Sequence, residues 1–294
     1  MELDLFKKIV DEACESVFLI SLWGWGEPFL NPAIYDMIAY AKSRGIRLIS
    51  STNGHFLNKP GQVDRLIRSG LDVLIVAVDG ATQETYERYR RPGTLNSVLE
   101  GVRKLAESKQ ILKSELPRIN IRLVVMRHNE HEIPQMVELA RSCGADMLSL
   151  KTMNPLTNDP YSLDQRPQND YDDQFIPSKS RYQRFRYSAN GKRIRRRENP
   201  CKRLWNNPKI LSDGSVCTCT CDVAGKFPMG NINTNSLRTI WTSWAYRLKR
   251  LQFRTQWDKI QPCCTCTYGY EGGSCIDEII SDIYSFDPIQ GIKA

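Results

Sequence analysis

Five short apolar runs separated by helix-period segments set the fold class of this 294-residue chain. The runs cover 18–22, 46–49, 73–78, 119–126 and 147–150. Between the first two lies NPAIYDMIAYAKSRG. There Asn31 is placed to cap, Pro32 suits a first helical position, Ile34, Met37, Ile38 and Ala41 share one face, and Gly45 ends the helix. Similar faces follow at Val63–Ile67, at Val98, Leu99, Val102 and Leu105, and at Ile133, Met136, Val137 and Ala140, with Gly70 and Gly144 as stops. A steady rotation of strand and helix predicts right-handed crossovers and a parallel sheet covered by helices. Sheets of this kind carry their chemistry beyond the carboxyl ends of the strands. The segments expected there are GWGEP at 24–28, STNG at 51–54, DG at 79–80, RHN at 127–129 and KTMNP at 151–155. In GWGEP two glycines let backbone approach a ligand and Glu27 offers a carboxylate to an ammonium group. The third glycine of a dinucleotide fingerprint is missing, and Pro28 removes an amide from any phosphate cradle.

The second constraint is cysteine placement. Eight of ten cysteines fall between Cys201 and Cys275. A long chain with a nearly cysteine-free first half and no signal peptide uses such thiols for a metal or cluster rather than for disulfides. Zinc and iron–sulfur clusters both suit thiolates. The spacing is Cys201, twelve residues, Gly214, four residues, Cys219, and much later Cys263-x-x-Cys266. The segment 210–216 reads as a hairpin around Asp213-Gly214, able to set Cys219 beside Cys201. Cys201, Cys219, Cys263 and Cys266 are the expected four thiolates. Cys264 is the alternative to Cys263, and Cys217, Cys221 and Cys275 are extras, too few for an obvious second cluster. Ser236 is placed to cap a helix whose Leu237, Ile240, Trp241, Trp244, Leu248 and Leu251 form one apolar stripe, read as core.

Between these regions the apolar period collapses. Residues 179–203 carry eleven Lys or Arg against one acid, Glu198, which exceeds the net charge of +8 for the whole chain. Such a run fits a solvated loop or contact with an anionic substrate better than nucleic acid. At the other end, Leu3, Phe6, Ile9, Val10 and Ala13 give an N-terminal helix one apolar face, leaving Cys14 as a core or surface thiol. No apolar run reaches membrane-spanning length, so a soluble, cytoplasmic protein in a reducing setting is expected.

GWGEPFLNP after a strand resembles the glycine-glycine-glutamate-proline motif of the radical S-adenosylmethionine superfamily. TNG at 52–54 and VDG at 78–80 fall where that family's next strands end. The tail resembles its SPASM or twitch auxiliary domain in Cys201, Gly214 and Cys219, and in GNI followed by SLRTIWTSWAYRLKRL. The resemblance implies a partial (β/α) barrel, an α/β unit, over 1–155, a basic linker over 156–200, a small cysteine-rich α+β domain over 201–280 and a terminal tail over 281–294. It also implies that Gly24, Gly26, Glu27, Pro28, Thr52, Asn53 and Asp79 line a pocket for S-adenosylmethionine, and that one auxiliary 4Fe–4S cluster sits in the tail. The substrate would be a peptide or an anionic small molecule, with an electron-donor protein as partner. The chain departs from the pattern twice. Ala77 stands where members often have Ser, and no C-x-x-x-C-x-x-C precedes GWGEP. The first strand with its cluster loop is therefore expected to be missing, through a truncated frame or a late start. The competing class is a non-enzymatic zinc or cluster protein that binds nucleic acid or a partner through its basic segment.

Overall fold

The structure, a computed structural model, describes residues 1–24, 26–154, 174–189, 192–222, 224–272 and 278–280. Cys275 and the tail at 281–294 lie outside them. Two compact units divide the chain.

The larger unit holds the sheet. Strands β1 (Leu19–Ser21), β2 (Arg47–Thr52), β3 (Val73–Ala77), β4 (Arg118–Val125) and β5 (Met147–Thr152) pair in sequence order, all parallel. The strands fall close to the five apolar runs. Between them stand α2 (Ile34–Ser43), α3 (Gln62–Ser69), α4 (Gln83–Glu87), α5 (Leu95–Ile111) and α6 (Ile133–Ser142), after an N-terminal helix α1 (Leu3–Ala13). The helix starts two residues later than expected, so Asn31 stands two residues before the cap position, Ala33, and Pro32 lies outside the helix. The Asn31 side chain accepts from Ala33 N at 3.0 Å, and α2 begins at Ile34. The helix-facing residues Leu48, Leu74, Val76, Ile121, Leu123, Leu148 and Leu150 are buried. Each such side chain contributes about 1.5–3 kcal/mol relative to exposure. The opposite rows are more polar, with Ser51, Asn120, Arg122, Ser149 and Lys151 at alternate positions.

Acidic residues tie both rims of this sheet. Before β3, Asp72 accepts from Leu48 N at 2.7 Å and from Lys42 at 2.6 Å; before β5, Asp146 accepts from Ile119 N at 2.6 Å and Lys109 at 3.0 Å. At the other rim Glu132 accepts from Ala81 N at 2.9 Å and Thr85 Oγ1 at 2.8 Å. Gly80 is required there, because a Cβ would stand 2.5 Å from Tyr86 N.

The second unit is built on the antiparallel strands β6 (Lys209–Ile210), β7 (Ser215–Cys217) and β8 (Pro228–Asn231), followed by α8 (Leu237–Trp241) and α9 (Trp244–Gln256); a single helical turn, α7 (Arg203–Asn206), precedes them. Helix α1 groups with this unit. Its Ile9 packs with Val216, Ile232, Ile240 and Tyr246, and Lys8 donates to Ile232 O at 2.6 Å. A second small core gathers Leu204, Phe253, Ile260 and Cys263. The stripe expected on the last helices is broken. Ser243 caps a new helix at Trp244, resetting the phase, so α9 buries Tyr246 and Phe253 while Trp244, Leu248 and Leu251 are exposed. One last strand, β9 (Glu278–Ile280), runs antiparallel to β5 in the larger unit.

Candidate cofactor and cluster sites

The loop after β1 and the turn after β2 are joined by one side chain. Glu27 accepts from Asn53 N at 2.8 Å through one carboxylate oxygen and from Phe29 N at 3.2 Å through the other. Pro28 opens the short 3-10 turn that follows. Gly26 has φ +90°, and a Cβ on Gly24 or Gly26 would meet nothing within 4 Å, so the loop backbone is open to a ligand. Asn53 turns its side-chain oxygen to His55 N at 3.1 Å. The structure thus brings Glu27 and Asn53 together. Thr52 is buried and accepts from Gly54 N at 3.0 Å, serving the turn. Asp79 is fully buried, with one oxygen on Arg90 Nε at 2.5 Å and the other on Val124 N at 2.7 Å. In this arrangement both Thr52 and Asp79 are engaged by the protein itself. Asn129 reinforces the same corner, donating to Asp79 O at 3.1 Å and Val124 O at 2.9 Å. Sequence reading pointed to RHN and KTMNP as loops but missed Arg122 on the polar face of the sheet. Its Nε donates to Ser149 Oγ at 3.1 Å, and only the strand register reveals that this row adjoins Lys151.

In the other unit five thiols converge from three segments. Cys201 precedes α7, Cys219 and Cys221 lie in the turn after β7, and Cys263 and Cys266 lie in the loop beyond α9. Cys221 hydrogen-bonds both Cys219 and Cys266 through sulfur, which holds those two thiols below the usual range, Cys266 down to about 7. Backbone N–H of Tyr268, the Thr267 hydroxyl and the Arg203 charge also favour the Cys266 thiolate. Cys221 is raised well above the usual range by those same two sulfurs and by burial, so it is the proton donor of the three. Burial raises Cys201 and Cys263, and the charges of Cys219 and Cys266 add to both. Cys217 is pushed up to about 11 by burial and Asp222 and stands apart in the hairpin core. The structure thus brings together the expected Cys201, Cys219, Cys263 and Cys266, and adds Cys221, one of the extras in the sequence reading. Among the described residues no three His, Cys, Asp or Glu side chains are set around a single-ion position.

The basic run packs around this site. Arg195 lies 4.9 Å from the Trp257 ring and donates to Cys264 O at 2.7 Å; Arg196 donates to Tyr270 O at 2.8 Å; Arg193 lies 4.2 Å from the Phe185 ring. Backbone bonds from Ile194 N to Arg186 O (3.0 Å) and from Glu271 N to Ile194 O (2.9 Å) make these segments a β-like layer. Several guanidiniums expected to face solvent or a ligand are thus spent on aromatic rings and carbonyls, where they contribute through cation–π contact.

The radical SAM superfamily model matches residues 1–140, and the SPASM model, an iron–sulfur cluster-binding domain, matches residues 201–267. The chain belongs to the radical SAM superfamily and carries a SPASM domain. The cofactors of these two domains are 4Fe–4S clusters and S-adenosylmethionine. The tungsten-containing aldehyde ferredoxin oxidoreductase cofactor-modifying protein of Pyrococcus furiosus is 26% identical over 294 residues, covering 90% of this chain and 78% of its own. The AdoMet-dependent heme synthase of Methanosarcina barkeri is 32% identical over 143 residues, covering 48% of this chain and 39% of its own. Streptococcus suis SuiB bound to S-adenosylmethionine shares the radical SAM fold at TM-score 0.61 and 15% identity, covering 85% of this chain and 61% of SuiB. SuiB has also been solved with its precursor peptide SuiA. The chain thus spans under two thirds of SuiB and of the heme synthase. Among the described residues no helix is long and apolar enough to cross a membrane.

The donor sets suit these groups. The open Gly24 and Gly26 backbone, fixed by Glu27, leaves room for a ligand, and converging thiols, two of them predisposed to ionise, suit iron.

Proposed function

We propose that this chain binds S-adenosylmethionine and one auxiliary 4Fe–4S cluster and acts as an oxidoreductase that modifies a peptide or an anionic small molecule. The observation that carries the reading is the meeting of Cys201, Cys219, Cys263 and Cys266, with Cys221 between two of them. These four would hold one 4Fe–4S cluster, which supplies one-electron transfer when bound. Gly24, Gly26, Glu27 and Asn53 would hold the methionyl end of S-adenosylmethionine, with Glu27 orienting the loop. Arg122 and Lys151 support an anionic substrate, since the register sets them on one face of the sheet, opposite the buried row of Ile121, Leu123, Leu148 and Leu150. The relatives' substrates differ from one another, and none is carried over to this chain. Radical initiation in the family uses C-x-x-x-C-x-x-C, which these 294 residues do not contain.

The test is iron and acid-labile sulfide on protein purified without air, with equilibrium dialysis of S-adenosylmethionine. About four irons and four sulfides per chain are expected, falling away in Cys219→Ala and Cys266→Ala. Zinc in place of iron sinks the reading. So does S-adenosylmethionine binding that is absent, or that is unaffected by Glu27→Ala.

A further inference from the structure

Arg203 touches all three cysteine-bearing segments. Its backbone N–H donates to Cys201 Sγ at 3.5 Å. One terminal nitrogen, Nη1, donates to the hydroxyl of Thr220, the residue between Cys219 and Cys221. The other, Nη2, donates to Tyr268 Oη at 2.8 Å, two residues beyond Cys266, and the guanidinium carbon lies 5.0 Å from the Tyr268 ring centre. Nothing in the spacing of the cysteines requires a cation here. A guanidinium is needed because two separate acceptors on two loops are reached by one planar fork, which a lysine ammonium cannot reproduce.

We propose that Arg203 is the positioning residue of the tail cluster: it clamps the Cys201, Cys219 and Cys266 segments into register and places a permanent positive charge beside their sulfurs. This rests on the cluster assignment above. The two roles make separate demands. A cluster held by four thiolates is anionic, and a nearby cation favours its reduction, because reduction adds a further negative charge. The clamp instead governs how fast the site opens. Neighbours that orient metal ligands change metal affinity by about 10- to 100-fold when removed.

The experiment compares the wild-type chain with Arg203→Met, Arg203→Lys and Tyr268→Phe, each loaded with iron and sulfide without air. Two readouts are taken: the midpoint potential of the tail cluster and the rate of iron loss to a chelator. Arg203→Met should show a more negative potential and iron loss faster by about 10- to 100-fold. Arg203→Lys should keep a potential near the wild type yet lose iron faster, since charge remains and one bridge is gone. Tyr268→Phe should leave the potential unchanged and speed iron loss the least. An Arg203→Met that retains no iron while Arg203→Lys does, with the far-UV signal of the sheet intact, also supports the clamp. A wild type that holds its cluster alongside an Arg203→Met of equal potential and equal iron loss overturns this inference alone. A wild type without iron overturns both it and the function proposed above.

Discussion

The two units of this chain reach order by different means. In the sheet unit, aliphatic side chains on five parallel strands meet amphipathic helices, and carboxylates tie down the rims. In the cysteine-rich unit the strands are two to four residues long, and the apolar clusters hold only a few buried side chains each. Arginine stacked on aromatic rings and thiols converging from separate loops take up the work. Burial with rim hydrogen bonds carries the first unit, whereas the second has smaller apolar cores, to whose stability a bound cluster would add.

The largest expected effect tests that contrast directly. Stripping iron from the loaded protein should lower the stability of the cysteine-rich unit alone, moving its denaturant transition to lower concentration. Four of the six tryptophans, Trp205, Trp241, Trp244 and Trp257, lie there, so their fluorescence should change while the far-UV signal of the sheet persists. A single cooperative loss of both signals would erase the distinction. Next, Asp79→Asn should cost about 3–5 kcal/mol of the sheet unit's stability in denaturant unfolding, because it leaves Arg90 without its buried counter-charge, and it should spare iron content. Smaller again, Ile9→Val should cost about 0.5–1.5 kcal/mol, read in the tryptophan transition and absent from the sheet transition. Last, with no expected effect on stability, alkylation of Cys266 in iron-free protein should rise as pH increases through about 7, since the reactive thiolate forms there. In Cys221→Ala that rise should move to higher pH, because the donor that stabilises the thiolate is gone.

The sheet unit was legible because strand and helix periods differ and each strand's apolar run is bounded by Gly, Pro or Asn turns. The turn at GWGEP and the approach of Cys201, Cys219, Cys263 and Cys266 to one another followed from spacing. What sequence did not disclose depends on geometry across loops. Cys221 lies two residues from Cys219, and only folding of the distal loop brings it to Cys266. The face of α9 was misread because periodicity was continued through Thr242 and Ser243, where a cap restarts the count. The packing of the basic run was not visible because charge along a sequence says nothing of rings beside it. Its Arg195 and Arg196 are satisfied by Trp257 and Tyr270, more than sixty residues away in the chain.

The packing of α1 has a consequence for synthesis. Ile9 meets Val216, Ile232, Ile240 and Tyr246, all of which leave the ribosome more than two hundred residues later. At about 5–20 residues per second, roughly 10–50 s pass before that partner surface exists. The intervening sheet can complete its own core in the meantime. The nascent chain therefore carries an amphipathic helix with its apolar face open for that interval, and the cysteine-rich unit closes only when its first and last pieces are both in the same compartment.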